Sequence, residues 1–168
     1  MIRKLTPFDA DTYIELRREA LTLAPFAFAA SLTDDAVLSA PLLREALGTQ
    51  TQAIFGAFGP DLAGVVGIYR EAAVKTRHKA RLWGLYVRPA HRGQRLGRQL
   101  VEAALTFARG LEGVHQVHLG VADRATEARA LYAALGFQTW GVEPRALQVG
   151  EEAITEYHMV LPLVPGAA

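Results

Sequence analysis

The stretch from His91 to Leu100, HRGQRLGRQL, places two glycines four residues apart among three arginines. It lies between the apolar run ARLWGLYV and an amphipathic segment that begins at Leu96. Backbone amides at the start of a helix lack intrahelical partners and carry the positive end of the helix dipole. Glycine lets such amides come close to a ligand. The pattern is typical of a turn that holds a phosphate or pyrophosphate, and equally of a solvated turn.

Two familiar phosphate-binding motifs are excluded by the same residues. A P-loop requires Gly-Lys-Ser/Thr, but Gly97 is followed by Arg98 and Gln99. The dinucleotide fingerprint requires a third glycine, which this stretch does not contain. The rest of the chain must therefore decide between an anion site and a solvated turn.

Composition limits the classes of function that remain. The chain has 168 residues, is 51% hydrophobic and has a formal net charge of +1, from 18 basic and 17 acidic residues. We expect a single cytoplasmic domain over residues 1–164 with a loose tail at 165–168, and neither a nucleic-acid nor a membrane partner. The absence of cysteine excludes a disulfide scaffold and a thiolate nucleophile. No histidine pair or carboxylate cluster has metal-ligand spacing, so we expect no metal.

The elements that must position the turn alternate between strands and helices. Strands are predicted at Ile2–Leu5 and at the segments TQAIFGAF, AGVVGIYR, ARLWGLYV, VHQVHLGVA, FQTWG and AITEYHMVL. Helices are predicted from the Thr6 N-cap with Pro7 through about Leu21, from Thr33–Asp35 to near Gly48, at Leu96–Ala108, and at Ala125–Leu135 with Gly136 as its C-terminal cap. This order predicts an α/β or α+β domain with a largely antiparallel sheet and a strand–helix–strand unit in the middle.

A second stretch, ATEARALYAALGF, gives the first one a context. Together the two resemble the GCN5-related N-acetyltransferases, the GNAT family. The family pattern Val-x-Pro-x-x-Arg-Gly-x-Gly-x-Gly/Ala is matched in the first stretch by Val87, Pro89, Arg92, Gly93, Gln94, Arg95, Leu96 and Gly97. The later helix of the family is matched by Ala128, Tyr132, Gly136 and Phe137.

Two positions depart from the family pattern. Arg95 replaces the middle glycine, which we expect to be tolerated if its φ stays negative and its amide stays available. Ala125 stands where the family often has asparagine, so a polar contact to the cofactor or a helix cap is lost.

The resemblance implies a fold and a co-substrate. The fold would be a mixed, mostly antiparallel sheet of about six to seven strands flanked by about four helices, with the two middle strands splayed apart. Acetyl-CoA would lie in the gap, without a metal. The resemblance gives its contacts as the backbone of Leu85, Tyr86 and Val87 for the pantetheine, and the pyrophosphate-binding residues Arg92, Gly93, Gln94, Arg95, Leu96, Gly97 and Arg98.

The resemblance also suggests how the reaction would be catalysed. Tyr132 would lie near the cofactor sulfur and protonate the departing thiolate. The strand before the turn holds no carboxylate, so the base is His118 or ordered water. His78, His158, Glu143 and Glu156 are weaker candidates. Phe28 and Trp83, with Phe26, are candidates for the wall of the acceptor site.

The acceptor and the assembly remain open at this level. A primary amine, either a small molecule or a protein amino group, would attack the thioester directly, and the protein would be a monomer or a homodimer. An alternative is a non-catalytic acyl-CoA sensor of the same fold. A nucleic-acid-binding module built on the arginines is disfavoured by the near-zero net charge.

Overall fold

Seven strands form one sheet in residues 1–163, the part of the chain that the computed structural model describes; the predicted tail at 165–168 lies outside the described residues. The strands are β1 (Ile2–Lys4), β2 (Gln52–Phe58), β3 (Leu62–Arg70), β4 (Lys79–Val87), β5 (Gln116–Ala122), β6 (Gln138–Val149) and β7 (Glu152–Pro162). The helices are α1 (Ala10–Leu23), α2 (Ala40–Leu47), α3 (Leu96–Gly110) and α4 (Thr126–Ala134). None of these helices has the length and apolar character needed to cross a membrane.

The sheet opens at its centre. Its strand order is β1-β2-β3-β4-β5-β7-β6, and all neighbours are antiparallel except β4 and β5. The parallel pairing of β4 with β5 ends at Arg81 and His118, although β4 continues to Val87 and β5 to Ala122. The carboxyl ends of the two strands are therefore not paired with each other. This confirms the predicted mixed sheet with splayed middle strands.

Two hydrophobic clusters cover the two faces of the sheet. On one face, α3 packs against β2, β3 and β4, and α4 packs against β5, with Leu100, Val101 and Tyr132 in the same cluster as Val117. On the other face, α1 and α2 pack against β2 and β3. The alternation of side chains along each strand assigns neighbouring residues to opposite clusters. Helices α3 and α4 therefore lie on one face of the sheet, and the segment that connects α1 to α2 lies on the other face.

The second helix begins later than predicted. The predicted start at Thr33–Asp35 is wrong, because α2 begins at Ala40 after a short 3₁₀ helix at Ala36–Leu38. The aspartates there bind the backbone locally instead of capping a long helix. The carboxylate of Asp34 accepts from the amide of Ser31, and that of Asp35 accepts from the amide of Val37.

Strand β6 is longer than predicted. The segment FQTWG covers only its first residues, whereas β6 continues to Val149 and pairs with β7 up to Glu152. Most side chains of β6 are exposed or half-buried, so its sequence lacks the alternation that indicates a half-buried strand. Backbone pairing with β7 therefore decides its length.

Candidate active site

A cleft of about 990 Å³ lies at the opening between β4 and β5. Its walls come from the end of β4, the turn before α3, the start of α4 and the Ala24–Phe28 segment. Most of the residues predicted to bind the cofactor line it, namely Leu85, Tyr86, Val87, Arg92, Gly93, Arg95, Leu96, Gly97 and Arg98. Gln94 lies in the same turn but is not among the lining residues. The fold thus gathers the motif around one concave surface.

The turn before α3 presents a run of unpaired backbone amides. Within residues 1–163, the amides at positions 93–98 donate no hydrogen bond to the protein, whereas that of Gln99 donates to Arg95 at 3.1 Å. The last three belong to the first turn of α3, where helix geometry provides no partner. Gly93 adopts a φ of 77° with open space where a Cβ would lie. Such a run at the positive end of a 15-residue helix is suited to an anion.

Arg95 does not meet one of the two conditions under which its replacement of glycine was expected to be tolerated. Its φ is 61° and its ψ is 15°, in the left-handed region, so the condition of a negative φ is not met. The residue is the N-cap of α3, and the chain must reverse there to enter the helix. The family's glycine would adopt this conformation without strain, whereas arginine crowds its Cβ against the backbone. The amide nevertheless stays available.

A pair of variants at position 95 separates this strain from the charge. Both Arg95→Gly and Arg95→Ala remove the guanidinium, but glycine alone relieves the positive φ. We expect the glycine variant to be more stable than the alanine variant by about 1 kcal/mol, with equal affinities for acetyl-CoA. Chemical denaturation and calorimetry measure the two quantities. Equal unfolding free energies would show that position 95 is unstrained.

The arginines of the turn differ in how they are held. Arg92 donates from Nε to the carbonyl of Val87 at 3.1 Å, and Arg98 pairs with Glu102 at 2.8 Å. For Arg95, the described part of the chain offers no hydrogen-bond or ion-pair partner to the guanidinium. All three side chains border the cleft, so they raise its positive potential.

Helix α4 carries Tyr132, which is not among the residues that line the cleft, and the helix ends as predicted. Gly136 has a φ of 94°, and the amide of Phe137 donates to the carbonyl of Tyr132 at 3.0 Å, which is the Schellman pattern. At the other end, Ala125 gives no side-chain cap, as expected from the lost asparagine.

Tyr132 itself is buried, with only 6% of its surface exposed. Its ring packs edge-on against Phe137 with 5.7 Å between centroids, while Ala128 and Leu131 of the same helix line the cleft. Burial raises the pKa of the Tyr132 hydroxyl well above its ordinary value. The hydroxyl is therefore protonated at neutral pH, as a proton donor must be. Its catalytic role stays a prediction.

His118 lies at the closed end of the opening. It pairs with Arg81 in the last rung between β4 and β5, and it is not among the residues that line the cleft. Its Nε2 is 2.9 Å from Oε1 of Gln116, and its ring is edge-on to Trp140. Burial lowers the pKa of His118 below 6.5, and the positive charges of Arg81 and Lys79 lower it further. The imidazole is neutral at neutral pH.

Strands β6 and β7 bring together three residues that the sequence treated separately. Glu143, Glu156 and His158 each place a possible ligand atom within 4.8 Å of the others, which the sequence spacing did not reveal. Nε2 of His158 lies 2.7 Å from Oε2 of Glu143. Burial raises the pKa of Glu156, Glu143 raises it further, and His158 opposes the shift. The sequence did contain one indication of this cluster, because Glu156 and His158 are two residues apart in a predicted strand and so lie on the same face of it.

The basic run KTRHKAR (residues 75–81) is remote from the turn before α3. Its last three residues begin β4, whereas the cleft is lined by the last three residues of that strand, so about 13 Å separates Arg81 from Leu85 at the usual strand rise. His78 belongs to this remote end and borders a separate cavity of about 420 Å³. The run therefore lies too far from the turn to extend the same anion site.

The acceptor-wall candidates surround an arginine that the sequence analysis did not single out. Phe28 lines the cleft, while Trp83 does not, its ring lying over Gly67. Both rings face the guanidinium of Arg17, at 4.7 Å and 5.7 Å from its carbon. Phe26 instead contacts the guanidinium of Arg124, which also borders the cleft. The spacing of α1 was the available signal, because Arg17 lies four residues after Tyr13 and three before Ala20, on the apolar face of the helix.

Similar solved structures share this architecture over nearly the whole chain. A GNAT-family acetyltransferase from Streptococcus pneumoniae is 23% identical, with a TM-score of 0.83 and coverage of 97% of this chain and 99% of that chain. The yncA protein of Salmonella typhimurium, solved with acetyl-CoA, is 22% identical, with a TM-score of 0.86 and coverage of 100% and 96%. A phosphinothricin acetyltransferase from Sinorhizobium meliloti, also with acetyl-CoA, is 19% identical, with a TM-score of 0.85 and coverage of 99% and 90%.

Two comparisons of the sequence itself gave different results. No curated protein sequence matches it. The family model described as "Acetyltransferase (GNAT) family" matches residues 16–137, which include both the turn before α3 and the helix that carries Tyr132. With its sheet opening and its run of amides in place, this chain belongs to the GNAT family of acetyltransferases.

Proposed function

We propose that this protein is an N-acetyltransferase that transfers the acetyl group of acetyl-CoA to a primary amine. The observation that carries the proposal is the run of unpaired amides at positions 93–98, which borders the cleft at the sheet opening. Two of the solved neighbours contain acetyl-CoA, which supports the same ligand here.

The residues around the cleft fit such a ligand. The amides at 93–98, with Arg92, Arg95 and Arg98, match a pyrophosphate in charge and in hydrogen-bond donors. Beyond Arg81, β4 has no strand partner on its β5 side among residues 1–163, so the backbone of Leu85–Val87 is suited to pair with the pantetheine amides. Acetyl-CoA would supply an acetyl thioester at the inner end of this cleft.

The reaction that we propose is direct attack. The amine nitrogen bonds to the thioester carbonyl carbon, the carbon–sulfur bond breaks, and the thiolate accepts a proton. We propose that Tyr132 donates that proton, because its hydroxyl is protonated at neutral pH and it lies on α4 next to Leu131, which lines the cleft. The proton lost by the amine goes to water held in the cleft or to His118. The acceptor is a small amine or a protein amino group, and we propose that the protein acts in the cytoplasm as a monomer or homodimer, without nucleic acid.

The proposal is tested by binding and turnover together. Calorimetric titration with acetyl-CoA should show saturable binding, and a panel of amines should release free CoA, detected with a thiol reagent. Binding without release for any amine would support the acyl-CoA sensor instead. Binding of nucleic acid but not of acetyl-CoA would overturn both readings.

The pH dependence of the rate tests the proton acceptor. An amine with the pKa of lysine is almost fully protonated at neutral pH, so the rate should rise with pH. Because the pKa of His118 lies below 6.5, a histidine base would add an inflection below that pH. We expect His118→Ala to keep the profile of the parent, as water would require. Loss of an acidic inflection in the variant would identify His118 as the base.

A further inference from the structure

Arg17 is a buried arginine whose hydrogen-bonding capacity is largely unused. Its side chain is 5% exposed and pairs with Asp35, itself 7% exposed, through Nε at 2.7 Å. Within residues 1–163 this is the one hydrogen bond that the guanidinium donates, and Nη1 is buried without a partner. A buried donor left unpaired is unfavourable, and native structures seldom contain one without a reason.

The unused part of the guanidinium has a defined shape. Asp35 occupies the Nε side, and its other carboxylate oxygen accepts from the amide of Val37. The edge formed by Nη1 and Nη2 therefore lacks a protein partner. That edge offers two parallel N–H groups, which match the two oxygens of a carboxylate.

Arg17 is not among the residues that line the cleft, but its guanidinium contacts one of them. One face packs on Phe28, which lines the cleft, and Trp83 of β4 lies 5.7 Å from the guanidinium carbon. Nη1 lies 3.5 Å from the position that a Cβ on Gly84 would occupy. Gly84 has a φ of 66° and directly precedes Leu85, where β4 enters the cleft wall. The unused edge of Arg17 is thus next to the strand that borders the proposed acetyl site.

We propose that the acceptor amine also carries a carboxylate, as a free amino acid does, and that Arg17 binds this carboxylate. This inference rests on the proposed acetyltransferase function. Because Nη1 is buried, the ring of Phe28 must turn aside when the acceptor enters, a side-chain change that is common on binding. The α-carboxyl group of a protein's N-terminal residue is in a peptide bond, so a free amino acid, which keeps its α-carboxylate, fits the site better.

The parent enzyme tests the substrate class without any mutation. Release of free CoA is measured with the proteinogenic L-amino acids and with their carboxamides, which keep the amine and side chain but remove the negative charge. We expect the best amino acid to exceed its carboxamide in kcat/KM by about 100-fold. Equal rates for acids and carboxamides would overturn the inference and leave the acetyltransferase function intact. No CoA release with any acceptor would instead overturn the function itself.

A conservative variant then tests Arg17. Arg17→Lys keeps the charge beside Asp35 but removes the planar fork, so the preference for acid over carboxamide should fall at least about 10-fold, mainly through KM. Arg3→Lys is the matched control, because Arg3 also pairs with an aspartate and packs on an aromatic ring, Phe58. Arg3 lies on β1, outside the cleft, and its variant should keep the parent preference. If Arg17→Lys keeps the parent's preference for acid over carboxamide, another group binds the carboxylate.

Discussion

Replacing Tyr132 by phenylalanine should lower turnover about 10²- to 10⁴-fold, the usual contribution of a general acid, with little change in acetyl-CoA affinity. The ring would still pack against Phe137 and within the cluster under α3, so the fold should be kept. The substitution removes the hydroxyl alone, whose raised pKa keeps it protonated over the working pH range. Steady-state kinetics with a good acceptor and calorimetry with acetyl-CoA measure the two effects separately.

The control is the same change at another tyrosine. Tyr69 lies on β3 and pairs with Arg81, towards the end of β4 that is opposite the cleft, so Tyr69→Phe should leave turnover unchanged. If Tyr132→Phe stays within about twofold of the parent, the hydroxyl is not the proton donor and Tyr132 serves the core.

Replacing Gly97 by valine should weaken acetyl-CoA binding about 100-fold while the protein stays folded. A Cβ at this position meets Leu131 at 3.5 Å and Val87 at 4.0 Å, which are ordinary contacts, so the backbone need not move. The added methyl groups would occupy the cleft beside the amides at 93–98. Keeping the pyrophosphate from two of those amides costs about 3 kcal/mol or more, since each hydrogen bond to a charged group contributes about 1.5–3 kcal/mol.

The same helix supplies a control for this variant. Gly110 ends α3, where an added Cβ meets nothing within 4 Å, so Gly110→Val tests the effect of valine on the helix alone. We expect it to bind acetyl-CoA like the parent. Unchanged affinity in a folded Gly97→Val protein would show that the pyrophosphate does not lie at the start of α3.

The turn that borders the cleft and its unpaired amides could be predicted because their information is local. Gly93 and Gly97, a strand before them and an amphipathic helix after them are consecutive in the chain, and helix geometry leaves the first amides unpaired. Gly136 likewise predicts the end of α4, because its left-handed φ suits a helix cap. Family membership and fold class followed from these short patterns.

Non-local contacts decided the rest. The left-handed conformation of Arg95 is imposed by the entry into α3, which the residue type alone disfavours. Strand β6 reaches Val149 because β7 pairs with it, although its side chains carry no burial pattern. Helical spacing places Arg17 on the apolar face of α1, but only the packed structure shows that Asp35, Phe28 and Trp83 surround it. Sequence spacing determines which residues share one helix or strand, whereas only tertiary packing determines which charges lose water and which donors remain unpaired.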